Sequence, residues 1–375
     1  MMNEKFYKLY PLALTSLIAM TQLSADDAQR LEQLKNKIDA ISVKNDENEI
    51  GGKNTAYPAR PQNHRNAFFL TADFLYWRAD LDGIPIAVKG NNASLGYQNK
   101  MKIIDMDFDW NPAFRVGLGG ILGGDSWDLK AEYTRYTNHS ERSAHVSGDN
   151  ALIPLWATVT NKQSGIFVLN GVASHATGHY HLNYNVVDLE LGRNYFVSRA
   201  ISVRPFIGAR GAFIYQHTRY HYTGLTFAEG ANYSPLTTKG KSNYQGGGIR
   251  AGFNAGWHFN RYWSFFSEIS GSLLYGRFDT AENMTTKNNS MTSHLSGDFN
   301  AARPNIEIIL GLQWETYFCK DRCRFSLGLG YEFVEWFLMN QFPREFAPGY
   351  LNGASGRFHG DLGLQGGTLK GRFEF

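Results

Sequence analysis

Charged residues recur at every second position in several stretches of this chain, and they are the side chains with which it could do chemistry. In DSWDLKAEYTRY, residues 125–136, polar or charged residues alternate with apolar or aromatic ones, which is the period of a β-strand. The same alternation sorts the charges of other stretches onto one face. It predicts twelve charged side chains that point into one interior and would line a pore: Asp73, Arg115, Asp128, Lys130, Glu132, Arg204, Arg210, Arg250, Glu268, Glu307, Glu315 and Glu332.

An interior with these charges allows two interpretations. With Asp188 and Glu190 included, the inward set has nine acidic and five basic residues. One interpretation is a water-filled lumen, whose acidic excess favours cations. The other is a network of ion pairs that fills a narrow interior, because an isolated buried charge costs several kcal/mol or more. Inward glycines such as Gly208 and Gly252 leave space, and they favour the open lumen.

Catalysis or metal binding would need residues gathered in another way. A hydrolase of the outer membrane needs a carboxylate pair with a histidine, or a Ser-His-Asn set, at the rim or outer wall. Asp73, Glu132 and His179 have suitable types, but their spacing does not select them, and no G-x-S-x-G motif occurs. His179 and His181 share a strand face and could capture a metal, although scattered loop histidines are commoner. We therefore predict no catalytic residues, no cofactor and no metal site.

The elements that must position the charges are about ten strands of an all-β, transmembrane antiparallel barrel. In strand four the apolar residues change parity between Tyr184 and Val187, which predicts a bulge near Val186. Apolar patches in the loops could hide further strands, so twelve to sixteen strands is an alternative. The predicted strands are 68–79, 107–121, 125–136, 180–196, 201–216, 246–259, 263–273, 305–315, 325–333 and 369–375.

The connections between these strands alternate in length. Short turns fall near 122–124, 197–199, 260–261 and 319–323, and long polar segments fall at 80–106, 139–178, 219–242, 279–302 and 339–359. Bacterial barrels have even strand numbers, short periplasmic turns and long external loops. Ten strands with both termini in the periplasm satisfy these conditions. A soluble sandwich strand has the same alternation, but the repetition with aromatics near the strand ends favours a membrane barrel.

Composition agrees with a wall that exposes only alternate residues to lipid. The chain is 43% hydrophobic and 14% aromatic, with a mean hydropathy of −0.36, and no run of about 18 apolar residues indicates a helical span. The formal charge of +3 gives no support for nucleic-acid binding.

Four segments organise the chain. Residues 1–25 have the basic, apolar and small-residue order of a secretory signal peptide. Residues 26–50 carry Leu31, Leu34, Ile38 and Ile41 at heptad spacing, which predicts a short amphipathic helix, either a coiled coil or a leader beside the barrel. Residues 51–66 have linker composition, and 67–375 form the predicted barrel.

Two further features concern assembly. Phe373 and Phe375 end the chain on one strand face, which is typical of the signal that the barrel-assembly machinery reads. Cys319 and Cys323 flank a turn that we place in the oxidising periplasm, where an intrachain disulfide is the favoured interpretation. A zinc pair is the least favoured one, for want of nearby ligands.

Several motifs together resemble a known family. FFLTADFLYWRA, WNPAFRVGLGG, WDLKAEYTRY, DLELGRNYFVS, VRPFIGARGA, YEFVEWF and the ending GDLGLQGGTLKGRFEF are similar to the major-outer-membrane-protein-like pore-forming family of Legionella and chlamydia-related bacteria, over roughly residues 67–375. The resemblance implies an abundant outer-membrane barrel that forms a pore, and it transfers no catalytic residues. Its chlamydial members make interchain bridges of Cys319 and Cys323 a second interpretation.

The residues and the resemblance lead to one functional prediction with two alternatives. We predict an outer-membrane porin, a water-filled diffusion channel for ions and small solutes that is also a structural envelope protein. The alternatives are a surface adhesin that acts through the long loops and, less favoured, an outer-membrane hydrolase. The expected partners are outer-membrane lipid and lipopolysaccharide, the barrel-assembly machinery and further copies of the chain in a trimer, with no nucleic acid.

Overall fold

The computed structural model describes residues 32–33, 67–91, 101–122, 127–148, 150–157, 159–160, 167–168, 171–198, 200–227, 234–286, 292–319, 323–346, 354–357 and 359–375. Residues 32–33 are helical and exposed. The predicted signal peptide, the rest of the predicted helix and the linker lie outside the described residues. Among the residues described, no helix has the length and apolarity needed to cross a bilayer.

Ten long strands form one antiparallel sheet that closes on itself. Each strand pairs with the next along the chain, and the last strand pairs with the first, with Phe74 opposite Leu369. The number agrees with the ten strands predicted. The strands are β1 Ala67–Leu81, β2 Trp110–Leu122, β3 Trp127–His145, β4 His175–Arg193, β5 Ile201–Thr223, β6 Leu236–His258, β7 Trp263–Thr286, β8 Thr292–Phe318, β9 Cys323–Asn340 and β10 Gly360–Glu374.

Alternation along each strand separates an outer from an inner face. On β1, Phe68 and Phe74 are exposed, whereas Phe69, Asp73 and Leu75 are buried inside. A closed sheet leaves no unpaired strand edge, and this is why barrels can span lipid, where free backbone groups find no water. The exposed apolar side chains therefore mark the part of the wall that faces lipid.

Short turns join the strands at the end of the barrel that we take as periplasmic. Asn260 accepts hydrogen bonds from the backbone N–H groups of Tyr262 and Trp263, at 2.8 and 2.9 Å, and so forms the turn between β6 and β7. Ser198 accepts one from Ile201 at 3.1 Å and does the same between β4 and β5. Both turns lie where the sequence predicts them, and both chain ends of the barrel lie at this end.

Several strands extend far into the segments predicted as loops. β5, β6, β7 and β8 have 23, 23, 24 and 27 residues, although about 9–11 residues suffice to cross a membrane. The predicted loop 279–302 is therefore mostly a hairpin of β7 and β8. The strands predicted from the sequence are too short, because the alternation of apolar and polar residues used to find them stops where the strands leave the membrane and their outward positions become polar.

The predicted bulge near Val186 is wrong. β4 keeps an unbroken register with both β3 and β5 from His175 to Gly192. Tyr180 and Tyr184 point inward together with Asp188, so what changes at this point is the chemistry of the interior and not the register. A register shift occurs instead near the extracellular end of β9, between Trp336 and Asn340.

Short strands occupy the long connections at the extracellular end. Ala87–Asn91 pairs with both Lys102–Ile104 and Asn150–Pro154 in a three-stranded sheet. Beside this sheet, Ile86 and Trp156 are buried in the same apolar cluster as the inward residues of the barrel. The remaining short strands at this end are Val159–Thr160, Phe167–Val168, Gly171–Val172, Thr226–Phe227, Pro343–Phe346 and Ala354–Arg357. One more short strand, Tyr195–Phe196, lies beside the periplasmic turn between β4 and β5.

Candidate functional site: the interior of the barrel

All twelve side chains predicted to line the interior lie on the inner face of the wall. Most are almost completely buried, from Glu332 at 0% exposed to Arg250 at 9%. We call fourteen of the inward charges the charged layer: Asp73, Arg115, Asp128, Lys130, Glu132, Asp188, Glu190, Arg204, Arg210, Arg250, Glu268, Glu307, Glu332 and Lys370. Two further basic side chains, Arg324 and Arg372, face inward at the periplasmic end. Glu315, the twelfth predicted residue, pairs with Arg324 below this layer.

Arg210 of β5 joins two carboxylates from opposite parts of the wall. Its Nε donates to Asp188 Oδ1 of β4 at 2.6 Å, and its Nη1 donates to Glu307 Oε1 of β8 at 2.5 Å. Glu307 also accepts from Arg250 Nη2 at 2.7 Å. Because β5 and β8 are not neighbours, the Arg210–Glu307 pair crosses the interior.

Arg115 of β2 makes a second crossing. Its two Nη atoms donate to the two carboxylate oxygens of Glu332 on β9, at 2.6 and 3.3 Å. Its Nε donates to Thr134 Oγ1 at 3.0 Å, and Thr368 donates to Glu332 at 2.9 Å. This bidentate pair, with its side-chain supports, has the geometry of the stronger charged hydrogen bonds.

Three further contacts extend the charged layer on its periplasmic side. Arg204 Nε donates to Asp128 Oδ2 at 2.8 Å across the intervening β4. Lys130 Nζ lies 3.5 Å from Glu190 Oε2. Lys370 pairs with Glu268, three strands away. The charged layer therefore connects strands of the wall that are not neighbours.

The space left inside is small. An enclosed cavity of about 20 Å³ lies among Arg115, Asp188 and Glu307, which is room for about one water molecule. A larger space of about 210 Å³ lies at the periplasmic ends of the strands, beside His258, Lys370 and Arg372, and we call it the vestibule. The described interior thus matches the interpretation of ion pairs that fill a narrow barrel, and it shows no open, water-filled lumen.

Aromatic side chains fill the extracellular half of the interior. We call this group the aromatic cap; its members are Trp77, Tyr136, Trp156, Tyr180, Tyr184, Tyr220, Tyr222, Trp336 and Phe342, all buried. Trp156 stacks on Tyr220 with ring centroids 4.8 Å apart, and Tyr184 lies edge-on to Trp336 at 6.2 Å. Tyr222 donates to the carbonyl oxygen of Ile86 at 2.7 Å. Connecting segments therefore contribute to the cap as well as the wall.

Sequence reasoning missed the cap and part of the charged layer. It placed Tyr180, Leu182 and Tyr184 outward, because apolar residues were taken to face lipid throughout. The missed charge Lys370 alternates with Leu369 and Gly371 in the last strand, so the same period could have found it.

The structure separates the residues of the catalytic alternative. Asp73 and Glu132 lie inside the barrel, whereas the half-exposed side chain of His179 points outward and lies 3.6 Å from Glu141. In the vestibule, Ser202 Oγ and His258 Nε2 are 3.0 Å apart, but His258 Nδ1 has no hydrogen-bond partner among the described residues. The pair therefore lacks the acid of a Ser-His-Asp triad. Within the described part of the chain, no group of three or more His, Cys, Asp or Glu side chains is arranged to hold a metal.

The predicted assembly features have clear places in the fold. Phe373, on the outer face of β10, and Phe375, directly after this strand, are both exposed, and the backbone of Phe375 pairs with that of Phe68 in both directions at 2.9 Å. Cys319 and Cys323 are free thiols, and a hydrogen bond with Cys319 is the main cause that raises the pKa of Cys323. The assembly signal and the disulfide both stay predictions.

Comparison with solved structures gives distant barrel proteins. The outer membrane protease OmpT from Escherichia coli has 6% identity and a TM-score of 0.34, covering 86% of this chain and 99% of its own. The attachment invasion locus protein Ail of Yersinia pestis has 8% identity and a TM-score of 0.25, covering 83% and 99%. A Pseudomonas aeruginosa FadL homologue has 8% identity and a TM-score of 0.23, covering 87% of this chain and 95% of its own. These TM-scores are too low to support an inference about this chain.

Comparison with curated proteins gives no match. A family model, described as the Legionella pneumophila major outer membrane protein precursor, matches residues 60–375. This range contains the whole ten-stranded barrel, with its lipid-facing exterior and its charged interior. The chain therefore belongs to the family of the Legionella major outer membrane protein and is located in the bacterial outer membrane.

Proposed function

We propose that this barrel is a narrow, gated pore for ions and small solutes, closed in the conformation described, and that it also serves as a structural protein of the envelope. The observation that supports a pore is the charged layer. Its fourteen acidic and basic side chains lie at the level where the outer face of the wall is apolar, as on β4, where Asp188 and Glu190 alternate with Val187 and Leu189.

Packing alone does not require these charges. Well-packed apolar residues can replace buried ion pairs with no loss of stability, or even with a gain. The same barrel fills its extracellular half with aromatic and aliphatic side chains. An ion that enters the membrane loses the water around it, and charged side chains at that depth can take the place of this water. The charged layer therefore favours a conducting role. Its eight acidic and six basic residues favour cations over anions.

Opening would require two changes that leave the wall intact. The pairs that cross the interior, such as Arg210–Glu307, must separate or move to the wall. The connecting segments that carry Ile86 and Trp156 into the cap must also withdraw. Because these two residues lie outside the ten strands, their withdrawal breaks no hydrogen bond between strands of the barrel.

Planar-bilayer recording of the refolded barrel tests the pore. We expect brief, cation-selective openings from the wild type and a larger open fraction from Trp156→Ala, because that variant loses the stack on Tyr220 and the hydrogen bond to the Pro85 carbonyl oxygen. Trp257→Ala, on the exposed outer face, is the matched control and should behave as the wild type does. If folded wild type and folded Trp156→Ala both fail to conduct, the pore is refuted and the structural role remains.

A second candidate, surface recognition, is favoured by the length of the strands. β7 and β8 have 24 and 27 residues, so more than half of each lies beyond the roughly ten residues that cross lipid. These projections form a platform for the connecting segments. Replacing residues 146–174 with a short Gly-Ser turn should abolish attachment of the producing cells to a host surface if this role is real. Unchanged attachment would contradict it.

A further inference from the structure

Seven of the eleven histidines lie together on the outer wall, near the extracellular end. They occupy outward positions of three adjacent strands, β3, β4 and β5, above the apolar residues that face lipid. The group is His139, His145, His175, His179, His181, His217 and His221. Neither the proposed pore nor the charged layer uses any of them.

Four of these histidines form two close cross-strand pairs, whereas His217, also directly opposite His181, is farther away, with ring centroids 6.4 Å apart. His145 lies directly opposite His175 in the register of β3 and β4, and His139 lies directly opposite His181. The ring centroids are 4.1 Å apart in the first pair and 4.2 Å apart in the second, with ring planes 32° and 33° apart. In both pairs the two rings therefore face each other at a tilt.

The first pair brings two ring nitrogens together. The Nδ1 atoms of His145 and His175 are 3.2 Å apart. This distance is within hydrogen-bond range, and which ring donates depends on the tautomers, so a metal ion would take the place of the shared proton. A tetrahedral ion with Zn–N bonds of 2.0–2.1 Å places two ligand nitrogens about 3.3 Å apart. The pair thus has the spacing of a two-histidine chelate.

In the second pair, one ring lies within hydrogen-bond distance of the backbone. His181 Nδ1 lies 3.2 Å from the backbone carbonyl oxygen of Asn138, to which it can donate. A proton held on Nδ1 leaves Nε2 free as a ligand, which is the usual second-shell arrangement of metal-binding histidines.

We propose that each pair, His145 with His175 and His139 with His181, binds one divalent first-row transition-metal ion at the cell surface. Each ion has two imidazole ligands, and water completes its coordination, in keeping with the lack of any three-ligand group among the described residues. Imidazole ligands suit Zn²⁺, Ni²⁺ and Cu²⁺, with Cu²⁺ bound most tightly. The pairs lie six residues apart along β3, about 20 Å, so the two ions bind independently.

Zn²⁺ titration of the refolded full-length barrel by calorimetry tests the proposal. We expect His145→Asn and His139→Asn each to bind one ion fewer than the wild type, and the double variant to bind two fewer. His221→Asn is the matched control: it is also outward, but it lies opposite Thr177 in one direction and Thr237 in the other, so it should keep the wild-type count. A variant of a pair that retains the wild-type count overturns the site at that pair.

A second measurement does not depend on the folding of variants. Cu²⁺ added to the wild-type barrel should show nitrogen hyperfine splitting from two imidazoles in electron paramagnetic resonance. A spectrum with only oxygen ligands, as for adventitious copper, would refute both sites. Neither measurement depends on conductance, so failure here would leave the proposed pore untouched.

Discussion

The two halves of the barrel interior are built from opposite chemistry. On β4, the inward residues at the periplasmic half are Asp188 and Glu190, and those at the extracellular half are Tyr180, Leu182 and Tyr184. The outward residues of the same strand change in the opposite sense, from Val187, Leu189 and Leu191 to asparagines and histidines. The same strand is therefore polar inside and apolar outside in its periplasmic half, and apolar inside and polar outside in its extracellular half.

The difference follows from what surrounds each half. Where lipid surrounds the wall, the hydrophobic surface must be outside, and polar groups can be satisfied only inside, by one another or by water. Above the membrane, water surrounds the wall, so the apolar core moves inside, as it does in a soluble protein. The change at Val186 marks the level at which the solvent changes.

Removing one cation from the charged layer should have the largest effect. Arg210→Ala leaves the carboxylates of Asp188 and Glu307 without the guanidinium that joins them, and breaking a buried pair costs about 3–5 kcal/mol. Urea unfolding of the barrel in detergent micelles measures the loss. Arg277→Ala, which removes an exposed pair with Asp298, is the matched control and should cost about 0–1 kcal/mol. Equal losses in both variants would contradict a closed charged layer.

Truncating a leucine should distinguish the two faces of β4. Leu182 is completely buried in the extracellular half, so Leu182→Ala should lower the free energy of unfolding by about 2–5 kcal/mol. Leu189→Ala, on the lipid-facing side of the same strand, creates no internal cavity and should cost less. The same urea titrations compare the two variants. A larger loss from Leu189→Ala would mean that the inward and outward faces have been assigned the wrong way round.

A smaller effect is expected at the outer face above the membrane. Glu335 lies four residues beyond the lipid-level Tyr331 on β9, where burial, followed by Asp361, Asp82 and Asp80, raises its pKa to about 7. A carboxyl group whose pKa is raised on folding adds stability below its usual pKa of 4.5, and this stability is lost as the pH rises through 7.

Glu335→Gln should therefore melt at the same temperature as the wild type at pH 4 and at a higher temperature at pH 8. Thermal unfolding followed by circular dichroism at the two pH values makes the comparison. A wild type that gains stability between pH 4 and pH 8 relative to the variant would show the opposite sign and contradict the clustering of these carboxylates.

The sequence predicts which way the side chains of the wall point better than it predicts which side chains contact each other. The inward orientation of Arg115 and Glu332 follows from alternation alone, because it depends only on the pattern of residues within each strand. That these two residues meet does not follow, since they are 217 positions apart and on strands that are not neighbours. Likewise, the histidines of β3 and β4 are visible in the sequence, but their pairing depends on the register between the two strands.

By itself, the sequence predicted an outer-membrane barrel of about ten strands and most of the charged residues that face inward at the membrane level, because a local two-residue period records the contrast between lipid and water. Only the tertiary structure decided that the interior is closed, that its extracellular half is an aromatic core and that charges join across it. These outcomes depend on the curvature of the wall and on connecting segments that enter the interior. Neither feature produces a repeating pattern of residue types in the sequence.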